Sequence, residues 1–218
     1  MIGIFGGTLD PVHYGHLRPL WEVKEALRFD QVRLIPSYIP PHRGQPGASA
    51  EQRLAMLKLA VADVAAFQVD ERELQRGGPS YTVDTLQSLR DDLGSESICW
   101  VMGLDAFLNL DKWHRWSHLL DLAHIVVMQR PGSEHARSGA VAELVETHQA
   151  FDVNELRLAP AGLIYFQDVT QLDISATAIR SRLAKEQDVR FLMPDTVRNY
   201  IKSNRLYTKY LREINETS

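Results

Sequence analysis

Met1-Ile2-Gly3-Ile4-Phe5-Gly6-Gly7-Thr8-Leu9-Asp10-Pro11-Val12-His13-Tyr14-Gly15-His16-Leu17 is the stretch on which the reading of this chain turns. Ile2 to Phe5 is a short apolar run with the character of a buried strand. Gly6 and Gly7 carry no Cβ, so a sharp turn and a close approach to a ligand are expected there. Leu17, Leu20, Trp21, Val23 and Leu27 then recur at roughly helical spacing, which predicts a helix opening near His16. Pro19 is consistent with the first turn of that helix. Strand, glycine turn and helix N-terminus together form a geometry that binds phosphate through free N–H groups and the positive end of the helix dipole. Thr8, His13 and His16 are placed in that turn.

The rest of the chain extends the same pattern. Gln31 to Pro36 reads as a second strand, Ser49 as the cap of a helix over Ala50 to Ala65, and Phe67 to Asp70 as a third strand. That is a βαβαβ unit. Ile98 to Met102, Ile125 to Met128 and Leu163 to Phe166 supply three more strands, the first of them wholly apolar as a central parallel strand should be. Helices are expected over about 82–93, over Ala140 to His148, and after Ser175. One or two short helices close the chain beyond Pro194. The fold class expected is α/β: a Rossmann-like, doubly wound, mostly parallel sheet of five to six strands, with helices on both faces and a small C-terminal helical segment over about 175–218. One domain would take up all 218 residues.

Composition narrows the class. The 44% hydrophobic content is ample for one core, and the net charge of −4 argues against a dedicated nucleic-acid binder. The single Cys99 excludes an intrachain disulfide framework, and its apolar setting reads as a small buried hydrophobe rather than a nucleophile. No basic leader precedes the first strand, and no apolar run approaches the roughly 20 residues that span a bilayer. A cytoplasmic protein without membrane or nucleic-acid partners is expected.

Candidate functional residues gather where the predicted strands end. His42 and Arg43 follow Pro40-Pro41 beyond the second strand; on spacing alone they belong to an ordinary solvated loop. Ser80 and Thr82 read as caps of the helix that follows. Gly103 and Asp105 follow the fourth strand, where a carboxylate can accept from ribose hydroxyls or cap the next turn. Arg130, beyond the fifth strand, suits a phosphate fork as well as it suits solvent. Trp113 and Trp116 are three apart, the spacing of core aromatics, although an indole also stacks on a pyridinium. Ser175, Thr177 and Arg180 place two hydroxyls and a guanidinium at a helix start, in outline a triphosphate site. The stretch from Gly132 to about Ala159 carries no recognisable chemistry.

The opening string lacks the Gly-Lys-Ser/Thr ending of a Walker A loop and is not Gly-x-Gly-x-x-Gly. It resembles the nucleotidyltransferases that carry a Thr/His-x-Gly-His motif, here His13-Tyr14-Gly15-His16. Asp173-Ile174-Ser175-Ala176-Thr177-Ala178-Ile179-Arg180 resembles their second signature, Ile-Ser-x-Thr-x-x-Arg, at every named position. With Pro40-Pro41-His42-Arg43, Ser80-Tyr81-Thr82-Val83-Asp84-Thr85 and Trp113, the order matches the bacterial nicotinate-nucleotide adenylyltransferases from Met1 to about Tyr207. Leu9, where relatives usually have Phe, and His114, often Tyr, depart from the pattern.

The resemblance implies transfer of the adenylyl group of ATP to nicotinate mononucleotide, giving nicotinate adenine dinucleotide and pyrophosphate. It implies His13, His16 and Arg180 as catalytic residues. Gly6, Gly7, Thr8, Gly103, Asp105, Arg130, Ser175 and Thr177 would join them in binding ATP. His42, Arg43, Thr82, Thr85, Trp113 and His114 would bind the acceptor, with Trp113 stacked on the nicotinate ring. Mg²⁺ would accompany ATP, riding on its phosphates rather than in a protein cage, and His13 and His16 would not be metal ligands. Other acceptors (nicotinamide mononucleotide, phosphopantetheine or a small phosphorylated alcohol) define related enzymes. A non-catalytic nucleotide sensor is the alternative of another class.

Overall fold

A computed structural model describes residues 1–41, 46–133 and 138–208. Its centre is a six-stranded sheet in the order β3-β2-β1-β4-β5-β6, with every pairing parallel. The strands are β1 (Ile2–Gly7), β2 (Gln31–Pro36), β3 (Phe67–Val69), β4 (Ile98–Gly103), β5 (His124–Gln129) and β6 (Ile164–Asp168). β1 sits in the middle, registered Ile2 to Gln31 on one side and Ile2 to Ile98 on the other. The order runs outward from β1 in both directions, so the direction in which successive strands are added reverses between β1 and β4. Open α/β sheets bind ligands at such a switch point, outside the carboxyl ends of the strands.

Side-chain alternation along the central strands fills two separate cores. Ile2 and Ile4 of β1, Ile98, Trp100 and Met102 of β4, and Ile125 and Val127 of β5 point to one face. Phe5, Cys99, Val101, Val126 and Met128 point to the other. Apolar residues on both faces are what a parallel sheet covered twice requires. The first face is closed by α4 (Thr82–Leu93), the short α5 (Leu104–Phe107) and α6 (Leu119–Leu122), and α7 (Ala140–His148), through Val83, Leu86, Leu89, Phe107, Leu119, Leu120, Val141 and Val145. The second is closed by α1 (Tyr14–Leu27), α2 (Ala50–Val61), α8 (Ala176–Ala184) and α9 (Asp195–Ser203). Leu20, Val23, Leu27, Met56, Leu57, Ile179, Val197 and Ile201 share that core. The C-terminal helices thus complete a sheet face, with α9 lying on α2.

Several boundaries differ from expectation for local reasons. β1 runs through Gly6 and Gly7 in extended form, and the left-handed residue of the turn is Leu9, at φ 50°. α1 opens at Tyr14, so Pro19 lies one turn deeper than the first turn and is buried. α2 ends at Val61 rather than Ala65; Ser49 caps it as expected, in a capping box with Gln52. Thr82 is not a cap: it is the first residue of α4, behind Tyr81. α3 (Arg72–Arg76) follows β3 and is too short to show periodicity in the sequence. Among the described residues no helix is long and apolar enough to cross a membrane.

Candidate active site

A cleft of about 720 Å³ opens over the carboxyl ends of β1 and β4, within the size range of small-molecule sites. Its floor is Phe5 to Asp10 on one side and Trp100, Met102, Gly103 and Asp105 on the other. Its walls come from Ser37, Pro40 and Pro41 after β2, from Glu73, Ser80, Tyr81 and Thr82, from Trp113 and His114, and from Ala176 and Arg180 of α8.

The first turns of α1 and α8 meet at this cleft. Gly15 marks the contact. A Cβ there would lie 2.7 Å from the Ile174 carbonyl oxygen and 2.9 Å from Nδ1 of His13, both too close for any side chain. Glycine between the two histidines is therefore what lets the helix carrying His16 abut the helix carrying Arg180. His13 is the residue before the helix and His16 its third; their rings stack at 3.8 Å between centroids. His16 lines the cleft. His13 lies behind it, 3% exposed, and burial pulls its imidazolium down to about 4. Burial therefore favours the neutral imidazole of His13 at pH 7 over a fixed charge. The N–H of Tyr14 is spent on the Leu192 carbonyl, so the helix start offers fewer free donors than its sequence suggested.

The loop between β1 and α1 is held from beneath. Arg53 of α2, 1% exposed, donates to the Thr8 carbonyl at 2.8 Å, to the Tyr38 carbonyl at 3.0 Å and to the Ala48 carbonyl at 3.4 Å. Asp10, 4% exposed, accepts from the Gly47 N–H at 2.7 Å and from the Tyr207 hydroxyl at 2.7 Å. Arg180 donates to the Asp10 carbonyl oxygen at 2.6 Å and to Thr177 at 3.3 Å. Ser175 caps α8 by accepting from the Ala178 N–H at 3.2 Å.

The other half of the cleft is aromatic. Trp113 is half-buried at the end of a 3₁₀ turn, Leu110–Lys112, and Tyr81 lies against the His114 ring at 4.2 Å. Beneath Tyr81 lies the buried carboxyl of Glu73, which accepts from the Thr85 hydroxyl at 2.6 Å. Burial, against the pull of Ser80, Thr85 and Arg76, pushes the Glu73 carboxyl above the usual carboxylate range. The Asp105 carboxylate folds back over Gly103 at the end of β4.

Of the expected site residues, Gly6, Gly7, Thr8, His16, Gly103, Asp105, Arg180, Thr82, Trp113 and His114 all line this one cleft. His13 supports it from behind. Ser175 and Thr177 stand at its α8 rim, exposed. His42 and Arg43 lie outside the described residues. Two expected residues stand apart from the cleft lining. Thr85 is fully buried and spends its hydroxyl on Glu73, so it does not reach the cleft. Arg130 is exposed, does not line the cleft and donates to Gln171 at 2.9 Å.

Sequence reading missed Asp10, Arg53, Glu73, Trp100 and Tyr207. Arg53 had a signal: it falls on the stripe of Met56, Leu57 and Ala60, where a charge needs buried partners. Trp100 lines the cleft with its indole Nε1 buried and without a hydrogen-bond partner among the described residues, yet in sequence it is one more apolar strand residue. Cys99 is buried as expected, its thiol pushed up to about 12 by burial, which removes it as a nucleophile.

Known proteins resemble the chain at both levels. The cytidylyltransferase-like family model matches residues 4–182. A protein of Halorhodospira halophila named probable nicotinate-nucleotide adenylyltransferase is 52% identical over 200 residues, 92% of each chain. One of the same name from Methylococcus capsulatus is 49% identical over 210 residues, 96% of this chain and all of that one. Among solved structures, the nicotinic acid mononucleotide adenylyltransferase of Plasmodium falciparum complexed with NaAD superposes with a TM-score of 0.70 at 16% identity, covering 95% of this chain and 97% of that one. The chain belongs to the cytidylyltransferase-like family and, within it, to the nicotinate-nucleotide adenylyltransferases.

Proposed function

We infer that this protein transfers the adenylyl group of ATP to nicotinate mononucleotide, releasing pyrophosphate. The observation that carries the reading is the junction at Gly15. There two helix starts, with His16 and Arg180, meet beside a half-buried Trp113 in one cleft at the sheet's switch point.

The chemistry asks little of acid–base groups. An oxygen of the acceptor's 5′-phosphate, already anionic at neutral pH, attacks the α-phosphorus of ATP. The bond from that phosphorus to the bridging oxygen breaks, and the pair of electrons leaves with pyrophosphate. No proton need move. What the protein supplies is alignment of two anions and stabilisation of charge on the α-phosphate and the leaving group.

The assignment of residues is supported by the motif resemblance and by the cleft that gathers most of them, and for His42 and Arg43 by the resemblance alone. Gly6, Gly7 and Thr8 bring backbone close to the nucleotide. His16 donates toward the α-phosphate, and His13, stacked behind it, sets its ring and adds a second neutral donor. Arg180, with Thr177 and the capped start of α8 at Ser175, receives the β- and γ-phosphates. Asp105 accepts from the ribose near Gly103. Trp113 stacks on the pyridine ring between Thr82 and His114. His42 and Arg43 orient the attacking phosphate. The substrate is ATP with its divalent cation, taken as Mg²⁺. Among the described residues no three His, Cys, Asp or Glu groups gather as a cage.

The test is pyrophosphate release from ATP and Mg²⁺, with nicotinate and nicotinamide mononucleotides in parallel. Strong preference for the acid is the expected result. Equal use of both would keep the transfer chemistry and remove the acceptor specificity. No release with either would leave a nucleotide-binding cleft and shift the reading to phosphopantetheine, then to a sensor.

A further inference from the structure

We propose that Tyr207 is a positioning residue of the adenylyl-transfer site: its hydroxyl holds the Asp10 carboxylate, and through Asp10 the guanidinium of Arg180, in the arrangement that receives phosphate. This rests on Arg180 being a phosphate ligand. Tyr207 lies beyond the last helix and beyond residue 182, where the family model's match ends.

The geometry is a buried relay. The Tyr207 side chain is almost wholly enclosed, its backbone in the left-handed region at φ 65°. Its hydroxyl donates to Oδ1 of Asp10 at 2.7 Å. Burial and the adjacent Asp10 carboxylate push the phenol up, so it stays a donor at any working pH. The other oxygen of Asp10 accepts from the Gly47 N–H at 2.7 Å and lies 3.8 Å from Nη1 of Arg180. That same Nη1 donates to the Asp10 backbone oxygen at 2.6 Å. Gly47 is the seat of the ring: a Cβ there would lie 3.0 Å from the Tyr207 ring and 3.4 Å from Cδ of Arg180. One cluster thus joins the turn after β1, the segment leading into α2, the arginine of α8 and the C-terminal segment.

The physical consequence concerns the Asp10 carboxylate. Each of its oxygens accepts a donor, Oδ2 also faces Arg180, and the guanidinium lines the cleft while held on the Asp10 carbonyl. Without the Tyr207 hydroxyl, a buried carboxylate oxygen loses its donor, and Arg180, already 3.8 Å from the other oxygen, is a donor that the carboxylate can draw closer. A closer Asp10–Arg180 pair would draw the guanidinium away from phosphate. The role differs from simple packing, because the Tyr207 ring can be kept while its hydroxyl is removed.

Steady-state pyrophosphate release tests this with Tyr207→Phe, Asp10→Asn, their double variant, Arg180→Ala, and Ile201→Val as a control for loosened packing of the same segment. Tyr207→Phe should raise the KM for ATP about fivefold to tenfold and move the acceptor KM less than about twofold. Ile201→Val should lower the thermal midpoint without moving either KM. In the Asp10→Asn background, Tyr207→Phe should add little, because the two act in series. The proposal is overturned if Tyr207→Phe leaves the ATP KM unchanged while Arg180→Ala raises it. Equal increases in both KM values, or additive effects of Tyr207→Phe and Asp10→Asn, would overturn it as well. An unchanged ATP KM in Arg180→Ala would instead strike the phosphate-site reading on which it depends, and the proposal with it.

Discussion

On the phosphate side of the cleft, the turn from Thr8 to Asp10 is fixed by buried polar contacts from three distant segments: Arg53, Tyr207 and Arg180. On the aromatic side, Trp113 and Tyr81 are half-exposed, and His114 is open to solvent. The difference matches the two tasks. Charge developing on phosphorus is stabilised only by donors already in place, since any movement during the reaction subtracts from the effect. A pyridine ring needs a flat partner and a pocket of the right depth, which loops can supply and adjust. Substitutions on the phosphate side should therefore strike turnover, stability or ATP affinity, and those on the aromatic side acceptor affinity.

The largest effect is expected at His16. His16→Ala removes a donor aimed into the cleft, and turnover should fall by about a hundredfold or more, with a smaller change in the ATP KM. Single-turnover measurement of the chemical step would check it. Unchanged turnover with only a raised KM would mean that His16 binds substrate without acting in the transition state.

Next comes Arg53, which never touches the cleft. Arg53→Met keeps much of the volume and leaves the Thr8, Tyr38 and Ala48 carbonyls without their donor. Denaturant unfolding should show a loss of roughly 2–4 kcal/mol, since each orphaned buried acceptor costs about 1–3 kcal/mol and some find water. A loss below about 0.5 kcal/mol would mean that the loop does not depend on this arginine.

These two residues also show what the sequence could reveal. His16 stood in a motif whose spacing between strand and helix is specific, so its place was legible. So were the sheet, its βαβαβ half and the Ser175 cap, because periodicity and capping are local. Arg53, Glu73 and Tyr207 act through neighbours 45, 12 and 197 residues away. Nothing local announces such partners. Thr85 was illegible for the same reason: its hydroxyl turns inward to a carboxyl on a helix too short to foresee. Arg130 stands at a strand end as expected, yet the cleft lies at the switch point between β1 and β4, one strand over.

On the aromatic side, Trp113→Ala should raise the acceptor KM by about tenfold and leave the ATP KM within about twofold; Trp113→Phe should recover part of the loss. Initial rates at saturating ATP would measure it. Equal loss of affinity for both substrates would show that the two halves of the cleft are not separable, which would break the contrast drawn above.

The smallest effect, and the finest test of that contrast, is expected at Glu73, the one buried carboxyl beneath the aromatic half. Its folded-state value lies above the ordinary carboxylate range, chiefly because burial disfavours the charged form. The native state then holds the proton more tightly than the unfolded chain does. Stability is fullest at acid pH and declines as pH rises from the ordinary carboxylate value through the raised one. Glu73→Gln carries no charge and still offers an oxygen to the Thr85 hydroxyl. It should flatten that part of the stability profile and change stability at neutral pH by under about 1 kcal/mol. Glu73→Ala, which strips Thr85 of its acceptor, should be clearly worse than Glu73→Gln in acceptor KM. If the two variants behave alike, Glu73 is only filling space, and the aromatic half depends on even fewer fixed polar contacts than the phosphate half.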